Sequence, residues 1–323
     1  MTAPVSDLPR PNDSSGTPRR VGIEVECGGV TETRLAEILT ELFGGTVSQT
    51  APYERVVEET EIGDVKVVLD TAYRDKADNW IAQRGLDLSR AVVPVEFVTD
   101  PILPAQIPQV DRLCRALAQH GATGSRDGVF LGFGLHLNVM IAGTAVGDLL
   151  PTLRAFAFLE DWLRLEDPID PSRRLLPFVE PYPSAFVERL AAPEAADWSR
   201  NDLIDVYLHE TPTRNRGLDM LPILRHLAED RVIAALRDAS AVSARPAWHY
   251  RLPDSRIDEP DWSIAREWNR WCLIERIAAD PPALEGLREA WLSHHRGFAA
   301  TRHGWAHEAD RLLKSTDLAK AGA

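Results

Sequence analysis

The chain is short of cysteine, of positive charge and of the phosphate-binding loops that announce common enzymes. Its three cysteines, Cys27, Cys114 and Cys272, are odd in number and far apart. That excludes a disulfide framework and a zinc knuckle, and fits a reducing compartment. Cys27 could lie near a site, but such a cysteine is more often a small buried residue. Lys and Arg total 36 against 49 Asp and Glu, a net charge of −13. A phosphate backbone needs a basic surface, so nucleic acid is not expected as a partner. There is no Gly-x-x-x-x-Gly-Lys-Ser/Thr loop and no Gly-x-Ser-x-Gly elbow, which argues against a P-loop ATPase and an α/β-hydrolase. Gly132-Phe133-Gly134 opens like a dinucleotide fingerprint, but the third glycine is missing and His136 interrupts. No run of about 18 apolar residues and no apolar signal core occurs, so a cytoplasmic protein with no membrane partner is expected.

What is present is a set of apolar strands with polar residues in mid-run. Val21-Gly22-Ile23-Glu24-Val25-Glu26-Cys27 puts Glu24 and Glu26 two apart, and alternate residues of a strand share a face. Two neighbouring carboxylates repel, and burying them unpaired is costly. A divalent cation removes that cost, and hard oxygen ligands suit magnesium or manganese. The plain alternative is an edge strand with a solvated acidic face. Ala91 to Thr99 is a second such strand, interrupted by Glu96. Gly132 to Met140 is a third, with His136 and Asn138 repeating the alternation. Trp248 to Leu252 is a fourth, with His249 and Arg251 two apart and so on one face. Together these strands predict a sheet with one face lining a polar site.

The rest of the chain predicts an α+β fold, not a parallel doubly wound one. Residues 1–18, rich in Pro, Ser, Asp and Thr, are expected to be a mobile tail ahead of one domain spanning 19–323. Apolar stripes predict helices over 32–43, 106–120 and 148–161. Residues 53–69 read as a hairpin turning at Glu61-Ile62-Gly63-Asp64. The proline-rich stretch 163–196 is expected to wrap the surface, and 218–237 to be helical around Pro222. From about Trp262 onward the pattern is helical, with Trp262, Trp268, Trp271, Ile274 and Ile277 in one stripe, read as core packing rather than a ligand platform. His303 and His307, four apart, could chelate a metal, but Gly304 stands where a zinc-protease motif has glutamate.

The ordered motifs resemble a family. A Gly-Ile-Glu-x-Glu strand is followed by a Val-Glu-aromatic-Val strand, then a Gly-x-His-x-Asn-Val strand and a late aromatic-arginine strand. From about Arg19 to about Ile257 this order is similar to the amidoligases, a branch of the carboxylate–amine ligases that includes glutamate–cysteine ligase and glutamine synthetase. The resemblance implies a curved antiparallel sheet of the glutamine-synthetase kind with flanking helices. It implies ATP and Mg2+ (or Mn2+) as cofactors, and small-molecule or peptide carboxylate and amine substrates. An acyl phosphate would form on the carboxylate and an amine would displace the phosphate. By motif position Glu24, Glu26 and Glu96 would be metal ligands, and His136 a metal ligand or phosphate contact beside Asn138. Arg251 would neutralise the transferring phosphoryl group.

Phosphoryl transfer asks for metals and well-placed cations more than for covalent help. Arg214 and Arg216, in the loop Thr211-Pro212-Thr213-Arg214-Asn215-Arg216-Gly217, are the best further cations. A solvated basic turn is an equal alternative. The resemblance places a leucine-asparagine element after this loop, for which Leu218-Asp219 would stand in. One departure concerns the late strand, where His249 occupies the place of a glutamate. Histidine binds metals but adds no negative charge, which shifts preference toward manganese or zinc. A metal-dependent hydrolase using Glu24, Glu26, His136 and His249 around zinc is therefore the second expectation. A nucleotide-binding scaffold without catalysis is the third. The sequence names neither acid nor amine, and leaves the oligomeric state open.

Overall fold

A computed structural model describes residues 3–69, 94–125, 132–175, 179–297 and 300–315. Its centre is an open sheet of eight strands in the order β2-β3-β4-β5-β1-β6-β8-β7, every neighbouring pair antiparallel. The strands are β1 (Val21–Cys27), β2 (Thr46–Ala51), β3 (Glu54–Thr60), β4 (Gly63–Leu69), β5 (Val95–Thr99), β6 (Leu135–Met140), β7 (Leu218–Asp219) and β8 (Ala247–Tyr250). The first of these lies at the heart of the sheet, paired with β5 on one side and β6 on the other. Val21, Ile23, Val25, Phe97, Leu135, Leu137 and Val139 are wholly buried on one face. Their intervening neighbours Glu24, Glu26, Glu96, His136 and Asn138 therefore share the other.

Helices cover the apolar face. The helices among the described residues are α1 (Glu32–Phe43), α2 (Ile107–Gln119), α3 (Val146–Glu166), α4 (Pro171–Leu175), α5 (Ser184–Ala191), α6 (Arg200–Glu210), α7 (Leu221–Leu227), α8 (Glu229–Ala235), α9 (Ile264–Ala278), α10 (Pro281–His295) and α11 (Arg302–Ser315). The Thr31 hydroxyl caps α1 by accepting from the Arg34 N–H at 3.1 Å, and Gly44 ends it at φ +69°. Leu35, Ile38 and Leu39 are buried, as their spacing predicts. The tryptophan stripe of α9 is core: Trp271 lies 5.5 Å from Tyr250 and 6.2 Å from Trp248 between ring centroids. In α3, Phe156 meets the back of the same strand at Tyr250.

Several expectations change. The strand β2 was not read from its sequence, because Thr46-Val47-Ser48-Gln49 is polar and sits at the sheet edge. The first described residues are tied to α9: the Ser6 N–H donates to Asn269 Oδ1 at 2.9 Å, Trp268 Nε1–H donates to the Ser6 carbonyl at 2.8 Å, and Leu8 is buried. Polar composition hid this anchoring, since the bonds to α9 run through the Ser6 backbone. The 163–196 stretch carries α4 and α5 and sends Tyr182, Phe186 and Leu190 into the core. Residues 218–237 open as β7 and continue as two short helices that part at Ala228. Residues 91–93 of the expected second strand lie outside the described residues. Among the described residues no helix is long and apolar enough to cross a membrane.

Candidate active site

Register brings the polar residues together. Glu26 stands directly opposite Glu96, and Glu24 stands between Val98 and His136. Asn138 faces Gly22 on one side and His249 on the other, and His249 in turn faces Asp219. Directly opposed residues in an antiparallel pair project to the same side. One polar patch therefore crosses five strands.

Hydrogen bonds order this patch. Glu24 Oε2 lies 2.9 Å from His136 Nδ1, and Glu24 Oε1 accepts from Asn138 Nδ2 at 2.7 Å. Asn138 Oδ1 lies 2.8 Å from His249 Nδ1, and the two imidazoles meet edge to face at 5.1 Å. Arg245, which the motifs did not single out, comes within 3.6 Å of Glu24 Oε1. Burial alone would raise the Glu24 pKa, but the His136 hydrogen bond and the nearby charges, Arg245 among them, hold it well below the usual carboxylate range. Burial pushes the His249 pKa well below the ordinary imidazole value. Glu26 Oε2 accepts from the Gly134 N–H at 2.7 Å. A Cβ on Gly134 would sit 2.8 Å from His136 Nε2 and 2.9 Å from Arg173 Nη2. Glycine there is a requirement of close approach.

Two groups of ligand atoms result, Glu24 with His136 and His249, and Glu26 with Glu96 and His136. Within each, the atoms lie inside 4.8 Å of one another. Carboxylates and imidazole in that proximity are a donor set for a divalent cation. The model of a family described as "putative amidoligase enzyme" matches residues 17–273. The chain belongs to that family. No curated protein and no solved structure matches it. Amidoligase membership covers all eight strands and ends within α9, so α10 and α11 lie beyond it.

Beside the acids stands a group of arginines. Arg251 is half-buried, donates from Nη1 to the Arg214 carbonyl at 2.8 Å, and has its pKa lowered to about 10, first by desolvation. Arg214 Nε lies 3.9 Å from Asp219 Oδ2. The Nε atoms of Arg214, Arg245 and Arg251, and Asp219 Oδ2, are buried without a hydrogen-bond partner among the described residues. Burial raises the Asp219 pKa, opposed by the Leu221 N–H and by these same three arginines. Asp219 is fully buried and central, although its place after the Arg214 loop was its only sequence signal. Arg173 was also missed: on α4 it donates to the carbonyls of Arg251, Leu252 and Pro253 and to Asp254, locking the exit of β8. Arg216 donates to Thr211 Oγ1 at 2.7 Å and to the Pro181 carbonyl at 2.7 Å, and so fixes its loop. No contact joins it to the acids among the described residues.

Elsewhere, His303 and His307 form an exposed pair with Nε2 atoms 3.2 Å apart on α11. Cys27 is buried behind the patch, its thiol pushed up to about 12 by burial and then by Glu26.

Proposed function

We propose that the chain is an ATP-dependent carboxylate–amine ligase that forms an amide through an acyl phosphate, on a sheet of the glutamine-synthetase kind. The observation that carries this reading is the convergence of Glu26, Glu96 and His136 on one sheet face beside arginines whose Nε–H groups have no partner among the described residues, in a chain of the amidoligase family. The donor set fits a divalent cation, Mg2+ or Mn2+, which when bound would screen phosphate charge. Glu26, Glu96 and His136 would hold it.

The chain's own residues supply the rest. Arg251, held by the Arg214 carbonyl with the Asp219 carboxylate nearby, presents positive charge where a transferring phosphoryl group gains charge. Arg214 and Arg245 flank the same anion site, while Asn138 fixes the ring beside it. Small-molecule or peptide acids and amines are the proposed substrates, and a cytoplasmic location is proposed with them. The test is ADP and phosphate release from the purified protein with ATP, Mn2+ or Mg2+ and a panel of carboxylates and amines. Release that needs both partners, with 18O passing from the carboxylate to phosphate, supports the ligase. ATP-independent cleavage of amides would instead favour a metal hydrolase. That second reading draws on the Glu24, His136 and His249 group, whose two imidazoles suit zinc.

A further inference from the structure

His303 and His307 stand one turn apart on α11, outside the family region, and both are exposed. They lie off the buried stripe of Trp305, Ala306, Ala309 and Leu313, so core packing does not require them. Side chains at i and i+4 share a helix face but need not touch. Here the rings turn toward each other, edge to face at 4.5 Å between centroids. Their Nε2 atoms are 3.2 Å apart, and with metal–nitrogen bonds of ~2.0–2.1 Å they would subtend ~100–106° at one ion, near the tetrahedral angle. A plain N–H···N hydrogen bond between the rings is the competing account, for which 3.2 Å is the long limit. Asp310 continues the same stripe, but its oxygens already accept from Trp162 Nε1–H at 3.3 Å and from Lys314 Nζ at 2.7 Å. The start of α11 is held from outside by His294 of α10, whose ring nitrogens meet Glu308 Oε2 and the Thr301 carbonyl, each at 3.0 Å.

We propose that His303 and His307 form a metal site separate from the sheet, taking Zn2+ through both Nε2 atoms with water completing the shell, and that the bound ion clips the first turns of α11. Imidazole nitrogen suits zinc, copper and nickel, whereas carboxylates suit magnesium and manganese. The helix pair and the acids of the sheet therefore select different ions. The two rings meet only when the turn between them is formed, so the ion binds the folded helix and stabilises it. Nothing in this site depends on the ligase reading.

The test titrates the full chain, labelled with 15N-histidine, with Zn2+. The Nε2 resonances of His303 and His307 should move together along one binding curve, while those of His136 and His249 report the sheet separately. Amide exchange across the first turns of α11 should slow with Zn2+ and stay unchanged with Mg2+. His303→Ala and His307→Ala each remove one of two tethered ligands. Zinc affinity at the remaining ring should then fall by about 100-fold, and the slowing of exchange should vanish. Both rings are exposed, so each variant should keep the melting temperature of the metal-free wild type. Ring resonances unmoved by zinc would leave only a hydrogen bond between the rings and overturn the site. Undiminished zinc affinity at the ring left in either variant would overturn it too. Zinc at both rings without slower exchange in α11 would overturn the clip. The wild-type spectra decide even if a variant does not fold. Absence of ATP turnover would count against the ligase but leave these measurements untouched.

Discussion

At the scale of single residues, the chemistry of the patch is set by who already holds whom. Glu26 spends one oxygen on the Gly134 N–H and keeps the other free of any hydrogen bond among the described residues. Glu26→Gln keeps the shape and the Gly134 bond but removes the charge a cation needs. ADP formation should drop below detection while the melting temperature stays within about 2 °C of wild type, a shift of at most ~1 kcal/mol. Undiminished turnover would remove Glu26 from the catalytic set. Gly134→Ala tests the opposite property, space. Its Cβ would fall 2.8 Å from His136 Nε2 and 2.9 Å from Arg173 Nη2, both held by other bonds. Overpacking of this kind costs ~1–3 kcal/mol, and metal affinity should fall with it, as read by urea melts and titration calorimetry. Wild-type values for both would show that the ring and the guanidinium can move aside.

At the scale of elements, alternation in β1, β5 and β6 was legible because each strand is apolar on one side and carries its polar residues on the other. His249 was legible for the same reason, while Arg251 lies just past the end of β8. Asp219 was not, because β7 is two residues long and has no alternation to read. Its meaning comes from pairing with His249 across the sheet. The carboxylate that the family pattern leads one to expect at 249 is found here on the neighbouring strand. The anchored N-terminal segment was illegible for another reason: backbone groups carry its contacts, and composition does not record them. Junctions between helices show the same limit. Asp111 of α2 accepts from the Ile264 N–H at 2.7 Å at the start of α9, yet burial is the larger influence and raises its pKa above 3.8. A carboxyl with a raised folded pKa binds its proton more tightly in the native state. The unfolded chain then releases first as pH climbs, so this group costs stability from about pH 4 up to its folded pKa, and the loss persists above it. Asp111→Asn keeps an acceptor oxygen and cannot ionise. Its stability relative to wild type should therefore improve between pH 4 and pH 7 in urea melts. A constant difference across that range would show that the carboxyl is not destabilised by its burial.

Taken as one molecule, the protein separates its chemistry from most of its stability. The helices pack against the apolar face, and the polar patch lies on the other. Phe156 of α3 touches Tyr250, while His249 of the same strand turns to the acids. Beyond the family region, α11 closes over α3, with Trp305 fully buried and its Nε1–H donating to the Phe158 carbonyl at 2.8 Å. The C-terminal helix thus sits two layers from the patch, with α3 and the sheet between. Removing the indole by Trp305→Ala leaves a cavity and should cost ~3–5 kcal/mol of unfolding free energy. If stability and site are separate in this way, Mn2+ affinity measured well below the variant's melting temperature should match wild type within about twofold, which is ~0.4 kcal/mol. Sites more than 7–10 Å apart with no shared partner generally behave additively, which is the basis for expecting this. A Trp305→Ala protein that remains folded yet binds Mn2+ tenfold more weakly would show instead that α11 and α3 set the spacing of β6 and β8, and that the patch is held in shape from behind.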